Sequence, residues 1–134
     1  MPRRIAVPVV IALAAATAAP ALAAAETDYV ASLRQAAQYP SARGHSEYDR
    51  EGTKREVEVT VSGIRRLAGR RVAVYVSGTK VGTMRVSSVG RAHREWSTSH
   101  GQSVPSAGAG STVKVRTSGG TLIASGRYHL ESDD

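Results

Sequence analysis

The sequence has no cysteine and no phenylalanine, and only one tryptophan and five tyrosines among its 134 residues. Without cysteine there is no disulfide framework, no cysteine-held zinc, no thiol nucleophile and no lipid-anchored cysteine. Without Phe the core must come from smaller side chains. From residue 26 onward the large apolar residues are 13 Val, four Leu, two Ile, Met84, five Tyr and Trp96. Half of that set is Val, whose stiff branched side chain suits pleated sheet. Lysine is scarce as well: 15 of the 18 basic residues are Arg, against 11 acids, for a net charge of +7. The abundance of Arg and Ala is associated with GC-rich bacterial genomes.

Only one long apolar run is present, Ile5 to Ala19, behind the positive pair Arg3-Arg4. Pro20 ends it, and Ala21-Leu22-Ala23 and Ala23-Ala24-Ala25 are small-x-small cleavage patterns. Residues 1–25 therefore read as a signal peptide cleaved after Ala23 or Ala25. Fifteen residues are short for a spanning helix, which needs ~20. The arginine pair lacks the flanking pattern of a twin-arginine signal, which favours the general secretory route. The mature protein is expected to be secreted or cell-envelope associated, with no transmembrane segment. It keeps 16 basic residues against 11 acidic ones, or +5. Its 109 residues suffice for a core that stands without disulfides.

The rest of the chain alternates with period two and hardly at all with period 3.6. Tyr29, Ala31 and Leu33 alternate with Val30, Ser32 and Arg34, and Gly44 to Asp49 reads as a second strand. Lys54 to Ser62 is the clearest strand, with Val57, Val59 and Val61 on one face and Glu56, Glu58 and Thr60 on the other. Arg71 to Ser77 sets Val72, Val74 and Val76 inward and Ala73 and Tyr75 outward. Further strands are expected over 81–86, 91–97, 112–117 and 121–128. The Ser77–Lys80 and Ser118–Gly120 segments are the turns of two hairpins. Ile64–Gly69 has room for one helical turn, with Ile64 and Leu67 capping the core. Seven or eight short strands with turns every 8–12 residues predict an all-β antiparallel sandwich, Ig-like or Greek-key, over 26–130. An acidic tail over 131–134 follows. Two echoes run through the chain. Arg43–Tyr48 parallels Arg91–Trp96, and Glu56–Gly63 parallels Thr112–Gly119.

Chemistry is sparse. His45-x-Glu47 and His93-x-Glu95 each put an imidazole and a carboxylate on one strand face. Were their strands neighbours, His45, Glu47, His93 and Glu95 would make a His₂Glu₂ metal site. The competing reading is a solvated face on which the Glu residues pair with Arg43, Arg91 or Arg94. Arg65, Arg66, Arg70 and Arg71 are four arginines in seven positions. Arg holds phosphate or carboxylate bidentately and keeps its charge at any relevant pH. The competing reading is a solubilising loop whose stems cover Leu67. The acids are mixed among the bases elsewhere along the chain. No interleaved aromatics support stacking on bases, which argues against a nucleic-acid partner. Trp96, in a core without Phe, is expected to be buried. No G-x-S-x-G elbow and no Gly-rich phosphate loop occurs, so no cofactor is implied and catalysis has little support.

Ala31-Ser32-Leu33, Ala37, Tyr39-Pro40-Ser41-Ala42 and Gly44 resemble the opening strands of CHRD domains. That resemblance implies a small extracellular β domain with a binding or structural role. The histidine-containing motif usual in the middle of that family is replaced here by Val72-Ala73-Val74-Tyr75-Val76. Leu67–Val72, Val81–Met84, Gly101–Pro105 and Gly120–Gly126 are similar to elements of small exported all-β bacterial proteins whose function is not established. This second likeness implies a fold and an address. The chain is thus expected to be an exported, non-enzymatic binding or structural protein. Its expected partner is an anionic envelope polymer or an extracellular protein, with Arg65, Arg66, Arg70 and Arg71 as contact residues. The alternatives are an inhibitor of an extracellular enzyme, offering Val104-Pro105 from the Gly101–Ser111 loop, and a metal-binding domain using the two His-x-Glu pairs.

Overall fold

The computed structural model describes residues 25–131. The expected signal segment lies outside the described residues apart from Ala25, and the acidic tail apart from Glu131. The strands are β1 (Glu26–Gln35), β2 (Arg43–Glu51), β3 (Lys54–Ser62), β4 (Arg71–Val76), β5 (Thr79–Arg85), β6 (Ala92–Ser97), β7 (Thr112–Thr117), β8 (Leu122–Arg127) and the short β9 (His129–Leu130). Every pairing is antiparallel, in the order β5-β4-β7-β8-β1-β2-β3-β6, with β9 beside β1. The fold is all-β, as the period-two alternation predicts. The chain leaves β3, forms the β4–β5 hairpin on the far side, and returns as β6 next to β3, a Greek-key crossing.

Two four-stranded layers result, β1-β2-β3-β6 and β5-β4-β7-β8. They join at one corner through the β1–β8 pairs Arg34 with Ser125 and Gln35 with Ala124, and further along β1 through Tyr29 with Leu130 and Val30 with His129 of β9. At the opposite corner β5 and β6 close the barrel without a hydrogen-bonded ladder. Side chains hold this seam. Trp96 of β6 packs on Gly82 of β5, so closely that a Cβ there would lie 2.6 Å from the indole Nε1. Arg94 reaches across to donate to the Thr83 carbonyl at 2.9 Å. Trp96 is buried, as the lack of Phe predicts.

The interior is valine from both layers: Val57, Val59 and Val61 against Val72, Val74, Val76, Val113 and Val115, all essentially inaccessible. One polar group is sunk among them. Ser46 Oγ donates to the Glu58 carbonyl at 2.9 Å and accepts from the Tyr128 hydroxyl at 2.7 Å. Burial raises the phenol pKa of Tyr128, which keeps it a donor.

Local differences from the sequence pattern have local causes. Ala73 faces outward as expected but is buried, because β4 is an interior strand and Ala73 stands between Thr83 and Arg116. The β4–β5 turn is tighter than Ser77–Lys80. Val76 pairs with Thr79, and Ser77 and Gly78 alone turn the chain, with φ of 51° and 81°. Two left-handed residues match the twist of the flanking strands. Ile64–Gly69 does contain one turn of 3-10 helix, Arg65–Leu67, over buried Ile64 and Leu67.

Candidate functional site

The pairing registers sort the charges by height in the barrel. Arg34 pairs with Arg43, Arg43 with Ser62, and Arg71 with Arg85. Arg65, Arg66 and Arg70 lie in the loop that follows Ser62, and Arg91 sits just before the Val61–Ala92 pair. All eight arginines therefore stand at one end, and all eight are exposed. The described carboxylates begin mid-strand, at the row Glu47–Glu58–Glu95, and continue to the opposite end. There Asp28, Asp49 and Glu56 form one row, Thr27, Arg50 and Arg55 the next, and Glu26, Glu51 and Lys54 the one after. The arginine end thus holds no described carboxylate, whereas at the other end Arg50, Arg55 and Lys54 lie among the acids.

Among the described residues the ion pairs are Lys54–Glu56 and His93–Glu58, so none of the eight arginines has a carboxylate partner there. Arg85 donates to the Gly69 carbonyl at 2.8 Å. Arg66 lies over the Tyr39 ring, 4.2 Å from its centroid, and donates to the Gln38 carbonyl. The guanidinium groups of Arg65, Arg70 and Arg71 bond to no group among the described residues.

Two hollows open at this end, one on each side of Tyr39. The first, about 270 Å³, is lined by Tyr39, Pro40, Ser41, Gly63, Ile64, Arg65 and Arg66. The second, about 340 Å³, is lined by Tyr39, Leu67, Arg70, Arg71, Thr117, Ser118, Gly119 and Thr121. No described acid lines either. The Tyr39 loop is fixed by backbone bonds from Tyr39 to Ala36 (3.0 Å), Ala42 to Tyr39 (2.9 Å) and Ala36 to Ile123 (2.9 Å). Tyr39 also packs on the core.

The structure brings the four predicted arginines to one place and divides them as two pairs. It adds Arg34 and Arg85, together with Tyr39, and with Arg43 and Arg91, which form no ion pair with Glu47 or Glu95 among the described residues. The Arg34–Arg43 pairing is open to inference from the β1–β2 hairpin. The others depend on crossings that no linear spacing encodes.

The His-x-Glu pairs are placed differently from the metal reading. His45 and His93 both pair with Thr60, and Glu47 and Glu95 both pair with Glu58. Strand β3 lies between them, so they share a face about 10 Å apart at ordinary strand spacing. His93 bonds to Glu58 at 2.6 Å instead. The first echo has its explanation here: β2 and β6 flank β3 in the same register, each ending on an aromatic, Tyr48 or Trp96, against Val57. The second echo joins β3 and β7, which lie in different layers.

The Gly101–Ser111 loop buries Val104 and Ala107. Tyr48 donates to the Pro105 carbonyl at 2.7 Å and Arg55 to the Val104 carbonyl at 2.8 Å. Val104 thus points into the core.

Among the described residues, the one group of three or more potential metal ligands within common reach is Glu26, Asp28 and Asp49, whose oxygens lie within 4.8 Å of one another. Asp28 Oδ1 is inaccessible and accepts no hydrogen bond. Burial, a proton shared with Asp28, and the charges of Asp28, Glu26 and Glu47 push Asp49 up to about 7. The unfolded chain loses that proton near pH 4. Between about pH 4 and 7 the folded state therefore binds more protons, and stability falls as pH rises. Asp49→Asn is expected to raise stability at pH 8 by about 1 kcal/mol, the value after allowing for solvent screening. It should leave stability at pH 4 unchanged. Urea melts at the two pH values check this; an equal change at both would show that titration is not the cause.

The chain is an all-β Greek-key sandwich that carries an arginine-crowned end with paired hollows. No protein-family model matches it, and no curated protein matches it. Among solved structures it is similar to a point mutant of superoxide dismutase 5 from Candida albicans. The TM-score is 0.53 at 11% identity, over 78% of this chain and 92% of that one. At that identity the likeness is one of fold alone.

Proposed function

We propose that this chain is an exported, non-enzymatic binding or structural protein that holds an anionic envelope polymer on its arginine-crowned end. The observation that carries this reading is the gathering of eight exposed arginines with no described carboxylate among them. Like charges held together raise the local potential and draw polyanions to the surface. A loop that merely kept the protein soluble would gain nothing from the arginines of separate strands converging on it. The apolar leader over residues 1–25 supports export, and the CHRD-like opening supports a domain that works through its surface.

Replacing Arg65, Arg66, Arg70 and Arg71 together with Ser should weaken retention on purified envelope by between about 30- and 1,000-fold at low salt. That range assigns about 0.5–1 kcal/mol to each exposed contact. Wild-type retention should also fall as ionic strength rises from about 0.1 M to about 1 M, where the screening length shrinks from about 10 Å to about 3 Å. Retention that ignores both changes would sink the reading.

A further inference from the structure

We infer that the anionic ligand is a linear acidic polysaccharide, bound so that two of its carboxylated sugars occupy the two hollows on either side of Tyr39. This rests on the anionic-polymer reading and narrows it to a chemical class and a pose.

The division of the arginines leads there. Arg65 and Arg66 line one hollow, Arg70 and Arg71 the other, and Tyr39 is the wall they share. A guanidinium is a planar fork that matches a carboxylate with two parallel bonds. Arg65, Arg70 and Arg71 have no acceptor among the described residues, so their forks are open to a ligand. Each hollow, at about 270 and 340 Å³, lies at the small end of ligand pockets, which run from about 300 to 1,000 Å³. Each is the size for a single ring and not for a folded surface.

Hydroxyls decide between sugars and bare phosphates. Thr117, Ser118 and Thr121 stand in the wall of the second hollow, and Ser41 in the first. Hydroxyls both donate and accept, as sugar hydroxyls require, whereas a bare polyphosphate offers no donor for them to accept from. Thr117 Oγ1 accepts from the Thr121 amide at 3.0 Å, which leaves its own proton to be donated to a ligand. A single-stranded nucleic acid would need successive open aromatic faces. The one aromatic here has Arg66 over its ring.

Oligogalacturonates of one to eight units test this by calorimetry on the purified protein. The expected result is at least tenfold tighter binding of the tetramer than of the monomer, since the second hollow is then filled at high effective concentration. The methyl-esterified oligomer, which keeps the sugar and loses the charge, should not bind. Tyr39→Ala should lower tetramer affinity about tenfold while leaving retention on a sulfonate resin unchanged. Tyr39 packs on the core, so Arg70→Ser/Arg71→Ser, at exposed positions, is the companion variant. It should bring the tetramer down to monomer affinity. Equal affinity for monomer and tetramer would overturn the two-hollow pose. Tighter binding of inorganic polyphosphate than of the galacturonates would overturn the sugar class and leave the anionic reading standing. Loss of both the oligomers and the sulfonate resin by the wild type would overturn both.

Discussion

Gly63→Ala is expected to destabilise the protein by about 4 kcal/mol, against about 1 kcal/mol for Gly52→Ala. Both glycines have positive φ, 77° and 60°. A side chain in that conformation costs about 1–2 kcal/mol by itself. Gly52 sits in open space at the β2–β3 turn, with nothing within 4 Å of where a Cβ would stand, so the backbone term is the whole cost. At Gly63 the added Cβ would lie 2.0 Å from the Ser41 carbonyl oxygen and 2.8 Å from its carbon. Those are backbone atoms, which cannot rotate aside. The loop carrying Tyr39 and the loop carrying the arginines would have to part. Since a domain of this size is stable by only about 5–15 kcal/mol, the loss is a large fraction of the total. Urea unfolding of both variants beside the wild type measures it. Equal losses would show that the two loops do not pack as tightly as described. Gly63 also lines the first hollow, so the same substitution should reduce polymer retention in whatever fraction stays folded.

Trp96→Ala should cost about 4 kcal/mol, the usual range for removing a large buried aromatic. Its consequence should also be local. Trp96 is 3% exposed and fills the corner where β5 and β6 meet without a ladder. With the indole gone, the cross-seam bond left is Arg94 to the Thr83 carbonyl, and Arg94 itself leans on the Trp96 ring at 5.1 Å. Amide exchange should therefore quicken more in β5 and β6 than in β2 and β7, which keep neighbours on both sides. Uniform acceleration over all strands would show that Trp96 supports the core generally and not the seam. An opened seam would expose two unpaired strand edges, so the variant should also aggregate more readily.

Much of the fold is legible without coordinates. The valine triplets Val57-Val59-Val61 and Val72-Val74-Val76 are buried on the faces their alternation assigns. Trp96 is buried because a chain without Phe has few ways to fill a corner. The Arg65–Leu67 turn falls where the break between two valine strands leaves room. These are local matters. Period two fixes which face of a strand is apolar, and the composition fixes what can fill the interior.

The all-β class, the valine core and the existence of an arginine cluster at residues 65–71 are thus written in the linear chain. Which strands are neighbours, and with that where the charges lie, emerges only on folding. The β3-to-β6 return puts β3 between the two His-x-Glu pairs and gives His93 to Glu58. The same crossings carry Arg34, Arg43, Arg85 and Arg91 to the end where Arg65–Arg71 stand, and leave the carboxylates behind. They also close the Thr117–Thr121 turn against Tyr39 to form the second hollow. Alternation specifies a side of the sheet, whereas position along and across it depends on register. Register is set by burial of the whole core at once, which no single segment encodes.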